Sequence, residues 1–390
     1  MPDPTPSPLL LDVSRLVWRR WAGRLPTGID RVCLAYCEHH ADRARAVVQW
    51  RGHVRVLSAR MSARLFGLLA LPTPGFRTAF AAMLPAIVVA RASHVPLRGL
   101  VYCNIGHTGL DDPALPRWIA ANGVRAVYLI HDLIPITHPQ FCRAGEAPRH
   151  ELRLRHALAS ASGIVVNSAA TGAALSGFAR HHGLPMPPLL HAWLGSPALP
   201  QAVAPARIDR PWFVTVGTIE GRKNHVALLQ VWQRLARTMG EATPLLVIVG
   251  QRGWEAEPAR AMLDRDPAIA AHVIEQGRAD DAELAALIAG ARALLMPSFA
   301  EGFGLPVIEA LQLGTPVIAS DLPVFREIAG SIPLLIDPTD GPAWLAAIRA
   351  FITDSPERQR QLAAMPGYRA PGWPDHFAQV EAWLTRESLW

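Results

Sequence analysis

The stretch Phe299-Ala-Glu301-Gly302-Phe303-Gly304-Leu305-Pro306-Val307-Ile308-Glu309-Ala310 sits between two different periodicities. Before it runs a short apolar segment of strand length, Ala293 to Met296, and after it the spacing becomes helical from Leu305 to Leu313. A strand that enters a helix through a glycine-rich turn opens a βα unit, and repeated units of that kind build a parallel sheet. Working outward, the same order recurs. Trp212 to Val216 reads as a strand, followed by Gly217-Thr218-Ile219-Glu220-Gly221-Arg222-Lys223-Asn224-His225 and a helix from about Asn224. Strands at Leu245 to Val249, His272 to Glu275 and Pro316 to Ala319, a helix at Asp280 to Gly290 and helices near 340 to 365 complete the second half.

The first half alternates in the same way, with candidate strands at Leu9 to Val13, Ala46 to Trp50, Leu100 to Asn104, Ala126 to Ile130 and Ile164 to Asn167. Between Ser196 and Pro211 four prolines and no apolar periodicity mark a linker. The expected organisation is an N-terminal Rossmann-like domain over 1–196, a linker over 197–211, and a C-terminal Rossmann-like domain over 212–371. A last amphipathic helix within 372–390 can pack on either. At 390 residues, two domains each burying a full core is the natural size division.

Half of the residues are apolar and 18% are charged, which excludes disordered and fibrous classes. A net charge of +6 points to anionic partners without choosing among them. No nucleic-acid-binding module is recognisable. The chain contains one lysine, Lys223, against 37 arginines. Cys33, Cys37, Cys103 and Cys142 lack the paired spacing of a zinc site and read as small buried thiols of a reducing compartment. Residues 1–9 show no secretory signal, so a cytoplasmic location is expected. The apolar stretch from Leu65 to Ala90, broken by Pro72, Pro74, Arg77 and Pro85, falls short of a spanning helix and reads as a pair of helices. The cluster Trp18-Arg19-Arg20-Trp21 suits a lipid headgroup region or a phosphate-bearing acceptor, or else an exposed segment packed on its neighbours.

Two glycine turns, each at the end of a strand, carry the chemistry. In the first, glycines let backbone N–H groups approach a ligand, the helix N-terminus favours phosphate, and Glu301 and Glu309, eight residues apart, accept from hydroxyls. In the second, adjacent Arg222 and Lys223 offer a forked guanidinium and a compact ammonium to two phosphates. A ligand anionic at one end and polyhydroxylated at the other fits both, and a sugar nucleotide is such a ligand.

Glu301 and Glu309 resemble the EX7E signature of family 4 retaining glycosyltransferases, and the run from Phe299 to Gly330 is similar to that family over about thirty residues. The resemblance implies the GT-B fold, α/β with two Rossmann-like domains facing a central cleft. It implies that Arg222 and Lys223 bind the donor diphosphate and stabilise the leaving group, where negative charge concentrates. Glu309 would hold the ribose hydroxyls, Glu301 the transferred sugar, and Gly302, Phe303, Gly304 and Leu305 would approach sugar and phosphate through the backbone. Gly217 opens the phosphate turn. Gly277 and Arg278 fall where the family forms part of the base pocket, although an ordinary loop arginine reads equally well there.

In the first half, Leu25-Pro26-Thr27-Gly28-Ile29-Asp30-Arg31 follows the first strand and resembles the family's glycine loop over the donor phosphates. It has a single glycine, Gly28, and Arg31 could pair with Asp30 or bind acceptor instead. His131-Asp132 resembles the family's His-Asp at a strand end, where ligands of open α/β sheets gather. His131 then contacts donor sugar or acceptor, or is a satisfied core histidine. Asp132 orients an acceptor hydroxyl, or caps a helix. Asn104, His107, Thr108 and His138 lie near strand ends on the acceptor side. Asp111-Asp112 before Pro113 reads as a helix-entry turn, and no metal motif is required.

The expected reaction is transfer of a hexose, mannose by likeness of the His131 segment to mannosyltransferases of bacterial polysaccharide assembly. The donor is GDP-mannose or another nucleoside diphosphate sugar, and the acceptor is a saccharide or lipid-linked saccharide at the inner face of the cytoplasmic membrane. Anionic lipid would be a peripheral contact. Retention by front-face displacement needs no protein nucleophile, and no convincing Ser-His-Asp or Cys-His set is present. Two rivals share the fold: a sugar-nucleotide epimerase or phosphorylase, and a non-catalytic partner protein.

Overall fold

The computed structural model describes residues 9–24, 28–70, 75–89, 96–196, 206, 208–253, 255–277 and 279–390. The chain forms two compact units. The first comprises Met1–Leu133, Pro148–Leu194 and Trp373–Trp390, and the second Ile134–Ala147 and Gly195–Gly372. Most of the proposed linker, 197–205 and 207, lies outside the described residues.

The first unit is built on a seven-stranded sheet. Its strands are β1 (Leu9–Asp12), β2 (Ala44–Trp50), β3 (His53–Val56), β4 (Val101–Asn104), β5 (Arg125–Ile130), β6 (Ala161–Val166) and β7 (Leu189–His191), in the order β3-β2-β1-β4-β5-β6-β7. All pairs are parallel except β2 with β3. β1, β4 and most of β5 are buried along their length, as strands covered on both faces require. β3 escaped the sequence reading because it closes a hairpin with a two-residue turn. Arg51 and Gly52 both take positive φ there, 47° and 76°, and Trp50 pairs with His53.

The second unit carries six parallel strands, β8 (Trp212–Val216), β9 (Leu245–Val249), β10 (Val273–Gln276), β11 (Leu294–Met296), β12 (Val317–Ser320) and β13 (Leu334–Ile336), ordered β10-β9-β8-β11-β12-β13. β7 and β13 are three-residue edge strands, too short for a periodic signal. The helix His225–Met239 buries Leu228, Leu229, Val231, Trp232 and Leu235 against this sheet. Each such side chain contributes roughly 1.5–3 kcal/mol on burial. Trp232 donates to Pro244 O at 2.8 Å, so its one polar atom is satisfied inside the core.

In both sheets the strand order reverses once, between β1 and β4 and between β8 and β11. Ligands of open α/β sheets settle outside the carboxyl ends of strands at such a point. The apolar stretch read as a pair of helices forms three, Ala59–Ala70, Phe76–Ala81 and Leu84–Val89, because Gly75 in the left-handed region and the Ala82-Met83 turn each break it. Among the described residues no helix is long and apolar enough to cross a membrane. The last helix, Trp373–Arg386, belongs to the first unit. His376 bonds Tyr36 Oη and donates to Trp193 O, both at 2.8 Å, and Trp383 leaves no room for a Cβ at Gly163.

Candidate active site

In the second unit both glycine turns leave the sheet at the reversal point, from the ends of β8 and β11. Gly217 has φ 139°, and a Cβ there would stand 3.1 Å from Lys223 Cε, so this glycine makes room for the lysine stem. Gly221–Lys223 form a short 3-10 turn closed by Asn224 in the left-handed conformation, φ 53°. Asn224 Nδ2 donates to Pro297 O and Pro338 O at 3.2 and 3.0 Å, and Phe299 N donates to Arg222 O at 2.9 Å. These bonds lock one turn onto the other.

Glu301 is the centre of the cluster. Its Oε1 accepts from Lys223 Nζ at 2.6 Å and from Ser298 Oγ at 2.7 Å, and its Oε2 accepts from Arg222 Nη1 at 2.8 Å. The same guanidinium also donates to Ala300 O at 2.8 Å and to Glu220 Oε1 at 2.6 Å. Burial would raise the Glu301 carboxyl, but Lys223 and Arg222 beside it, with the bonds from Lys223 and Ser298, hold it at about 2. On Lys223 the balance is opposite: burial, with Arg222 beside it, lowers its pKa despite the pull of Glu301. The site is therefore an ionised carboxylate holding two cations in a water-poor corner, one of them partly starved of compensation. An incoming anion has both cations to bind.

Gly304 begins the helix Leu305–Gln312 at φ 104°, and a Cβ there would meet Phe325 Cε1 at 2.6 Å. Gly302, Phe303 and Leu305 flank it, and Glu309 lies one turn into the helix, 3% exposed. The structure thus brings Arg222, Lys223 and Glu301 into direct contact and sets Glu309 on the helix that follows. Residue types read from sequence left out Glu220 and Ser298, which complete this cluster. Glu220 lay inside the quoted turn, and Ser298 just before the other, but a lone serine or glutamate carries no signal until its partners are placed. His225, 3% exposed, is held uncharged with a pKa near 4 by burial and by Lys223.

Arg278 and Leu25-Pro26-Thr27 lie outside the described residues. Gly28 opens the helix Gly28–His40, with open space where its Cβ would stand. One expectation is corrected: the glycine loop does not directly follow the first strand, since the helix Ser14–Trp21 intervenes. Arg15 and Arg19 of that helix hold the buried Asp30 at 2.7 and 2.8 Å.

His131 directly follows β5, 5% exposed, and its Nε2 donates to Ile105 O at 2.8 Å. His107 donates to Leu129 O at 2.7 Å, its ring centroid 5.1 Å from that of His131. Burial brings His131 down to about 4 and His107 well below the ordinary histidine value, so both are neutral. Asp132 follows, half-buried, its carbonyl accepting from His150 Nε2 at 3.2 Å. Asn104 is fully buried and donates to Tyr102 Oη and Thr108 O. It shapes the loop after β4. His138 belongs to the second unit, where its ring stacks near Phe141. Asp112 Oδ1 accepts from Ala114 N at 2.8 Å, which is the helix-entry turn expected of Asp111-Asp112.

Comparison with known proteins places this geometry. A family described as "Glycosyl transferases group 1" matches residues 202–365. The serotype-specific mannosyltransferase WbdA of Escherichia coli is 32% identical over 225 residues, 54% of this chain and 27% of its own length. The O-antigen chain mannosyltransferase B of Escherichia coli is 36% identical over 152 residues, 39% of each chain. The chain thus spans about a quarter to two fifths of the length of these relatives. Among solved structures, HepE of Anabaena in complex with UDP-glucose matches with a TM-score of 0.66 at 15% identity, covering 97% of this chain and 99% of that one. The sucrose-phosphate synthase of Thermosynechococcus elongatus matches with a TM-score of 0.61 at 18% identity, covering 98% and 99%. These two likenesses are of fold, the GT-B kind with two parallel α/β units. Residues 202–365, the part similar to the glycosyl transferases group 1 family, contain Arg222, Lys223, Glu301 and Glu309.

Proposed function

We propose that the chain is a retaining mannosyltransferase, moving mannose from a nucleoside diphosphate donor, GDP-mannose, to a saccharide or lipid-linked acceptor in surface polysaccharide synthesis. The observation that carries this reading is Glu301 held between Arg222 and Lys223 at the end of β11. The mannosyl part is supported by the relatives, which are named as mannosyltransferases.

In this reading the donor diphosphate takes the two cations, and the carboxylate they release turns to hydroxyls of the transferred sugar. Departure of the leaving group concentrates charge on its terminal phosphate, where fixed cations stabilise it without reorganising. Glu309 holds the ribose. Gly217 and the Gly302–Leu305 backbone admit the donor closely, and Gly28 and Arg278 extend contact to phosphate and base. His131, neutral and fixed by Ile105, and Asp132 orient the acceptor. The acceptor hydroxyl attacks on the face the phosphate leaves, and a phosphate oxygen takes its proton. The enzyme works at the inner face of the cytoplasmic membrane in peripheral contact with anionic lipid.

Incubation of the full chain with GDP-, UDP-, ADP- and dTDP-sugars, followed by proton NMR of the glycoside formed, tests both parts. An α product from an α-configured GDP-mannose donor is expected. A β product overturns retention, and release of free nucleotide that does not depend on acceptor overturns transfer.

A further inference from the structure

The first unit has a trough of about 740 Å³ at the carboxyl ends of β1, β2 and β4, the reversal point of its sheet. Its walls include Trp18, Trp21, Trp50, Arg51, Asp111 and Asp112. The geometry points to a saccharide-binding site there, which holds the sugar chain of the acceptor on an indole platform. This rests on the transferase reading for the identity of the occupant, and on the trough alone for its chemistry.

Trp18 and Trp21, three residues apart, share one face of the helix Ser14–Trp21. Phe80 meets both edge-on, with centroids 6.0 Å away in each case, and Trp18 Nε1 donates to Gln49 O at 2.7 Å. Both indoles are thereby fixed. The floor is fixed as well, since Gln49 Nε2, with two N–H donors, lies within hydrogen-bonding distance of Asp12 Oδ2, Tyr102 Oη and Thr108 O at 2.7, 3.0 and 2.9 Å. A Cβ on Gly109 would fall 2.0 Å from Gln49 Oε1, which leaves glycine the only residue that fits. Trp50, by contrast, is 51% exposed, with Arg51 stacked over its ring at 5.1 Å.

Charge decides among occupants. Arg19 and Arg20, which in sequence suggested a lipid headgroup or phosphate, are engaged within the fold: Arg19 pairs with Asp30, and Arg20 donates to Leu68 O and lies over Phe76. What faces the trough instead is two carboxylates against one guanidinium: Asp111, held by Arg149 at 2.5 Å, Asp112, whose Oδ2 lies against the Gly52 turn, and Arg51, which lies over the Trp50 ring. Carboxylates beside phosphate repel it. Beside hydroxyls they accept hydrogen bonds, while indole faces cover the C–H face of a hexopyranose. The site fits a neutral, polyhydroxylated chain.

The test is titration of the full chain, without donor, with mannotriose, maltotriose and chitotriose, followed by tryptophan fluorescence and saturation-transfer NMR. At least one triose is expected to bind, and Trp50→Ala and Asp112→Asn are each expected to weaken it about ten-fold. Both variants should keep wild-type melting and wild-type affinity for nucleoside diphosphate. If no triose binds, or the variants bind as well as wild type, the proposal is overturned. Trp50-dependent binding of phosphatidylglycerol vesicles with no saccharide binding overturns it too. Loss of nucleotide binding in the wild type, with triose binding retained, would instead strike the transferase reading and leave the trough standing.

Discussion

The carboxyl ends of the two sheets solve one problem differently. At β8 and β11 the buried polar groups are ions that neutralise each other, Glu301 against Arg222 and Lys223. At β1, β4 and β5 the buried imidazoles are neutral, His107 and His131 donating to carbonyls, while burial raises the Asp12 carboxyl and Asp30 is held by Arg15 and Arg19. An edge that stores an internal ion pair can exchange a partner for an external anion, whereas neutral imidazoles offer no such exchange. The proposed transfer draws on that difference, with the donor diphosphate engaging the two cations of the second unit.

The largest expected effect breaks the ionic edge. Lys223→Ala should lower kcat by about 10²–10³-fold, the usual cost of removing one fixed donor from a developing anion. Nucleotide release measured with acceptor present checks this, and an unchanged kcat would remove Lys223 from the reaction. Glu301→Gln leaves two buried cations without their shared counterion, which should cost about 3–5 kcal/mol in denaturant unfolding. Added nucleoside diphosphate should restore more stability to this variant than to wild type, because it supplies the missing negative charge.

Next in size is Gly304→Ala. A left-handed φ of 104° and a 2.6 Å approach to Phe325 both oppose a side chain. A loss of about 1–3 kcal/mol is expected. The same change at Gly28, where nothing lies within 4 Å of a Cβ, should be far milder, and equal losses would mean that backbone strain is not what distinguishes them.

Acid reaches the buried histidines before it reaches Glu301. The folded pKa of His131 is depressed to about 4 from 6.5, and those of His376 and His40 to about 4 and 3. Their contribution to stability is complete above 6.5 and is lost as pH falls toward 4. Glu301, depressed from 4.5 to about 2, keeps its contribution until pH drops below 4.5. Peptide-resolved hydrogen exchange should therefore show the peptides of His131, His376 and His40, together with that of His225 in the second unit, whose pKa is also near 4, loosening between pH 6 and 4 before the Glu301 turn does; the reverse order would contradict the neutral-imidazole assignment.

The second edge was the legible one, because its groups lie in two short turns, each between a strand and a helix. Residue types within each turn pointed to phosphate and hydroxyl contacts, and the resemblance to family 4 implied one donor site for Arg222, Lys223 and Glu301, although 79 positions separate Arg222 from Glu301. The first edge is assembled from Trp18, Gln49, Trp50, Asp112 and His131, scattered over more than a hundred residues, and no local pattern links them. Trp18-Arg19-Arg20-Trp21 was visible as a cluster but its sense was not, since only Asp30 and Leu68 show that the arginines turn inward. Likewise the grouping of Ile134–Ala147 with the second unit follows from contacts far along the chain.

That segment supplies the smallest and most discriminating change. Phe141 stacks flat on Phe299, centroids 4.6 Å apart and planes 4° from parallel. Phe299 in turn donates its N–H to Arg222 O, so the stack bears on the turn that presents the cations. Phe141→Leu keeps an apolar side chain and removes the ring pair, worth about 0.5–1.5 kcal/mol. Because no ion is touched, the loss should appear as a two- to three-fold rise in donor KM, on the order of 0.5 kcal/mol, with kcat nearly unchanged. A fall in kcat comparable to that of Lys223→Ala would mean instead that Phe141 sets the geometry of the reacting groups, and the ionic edge would no longer be self-sufficient.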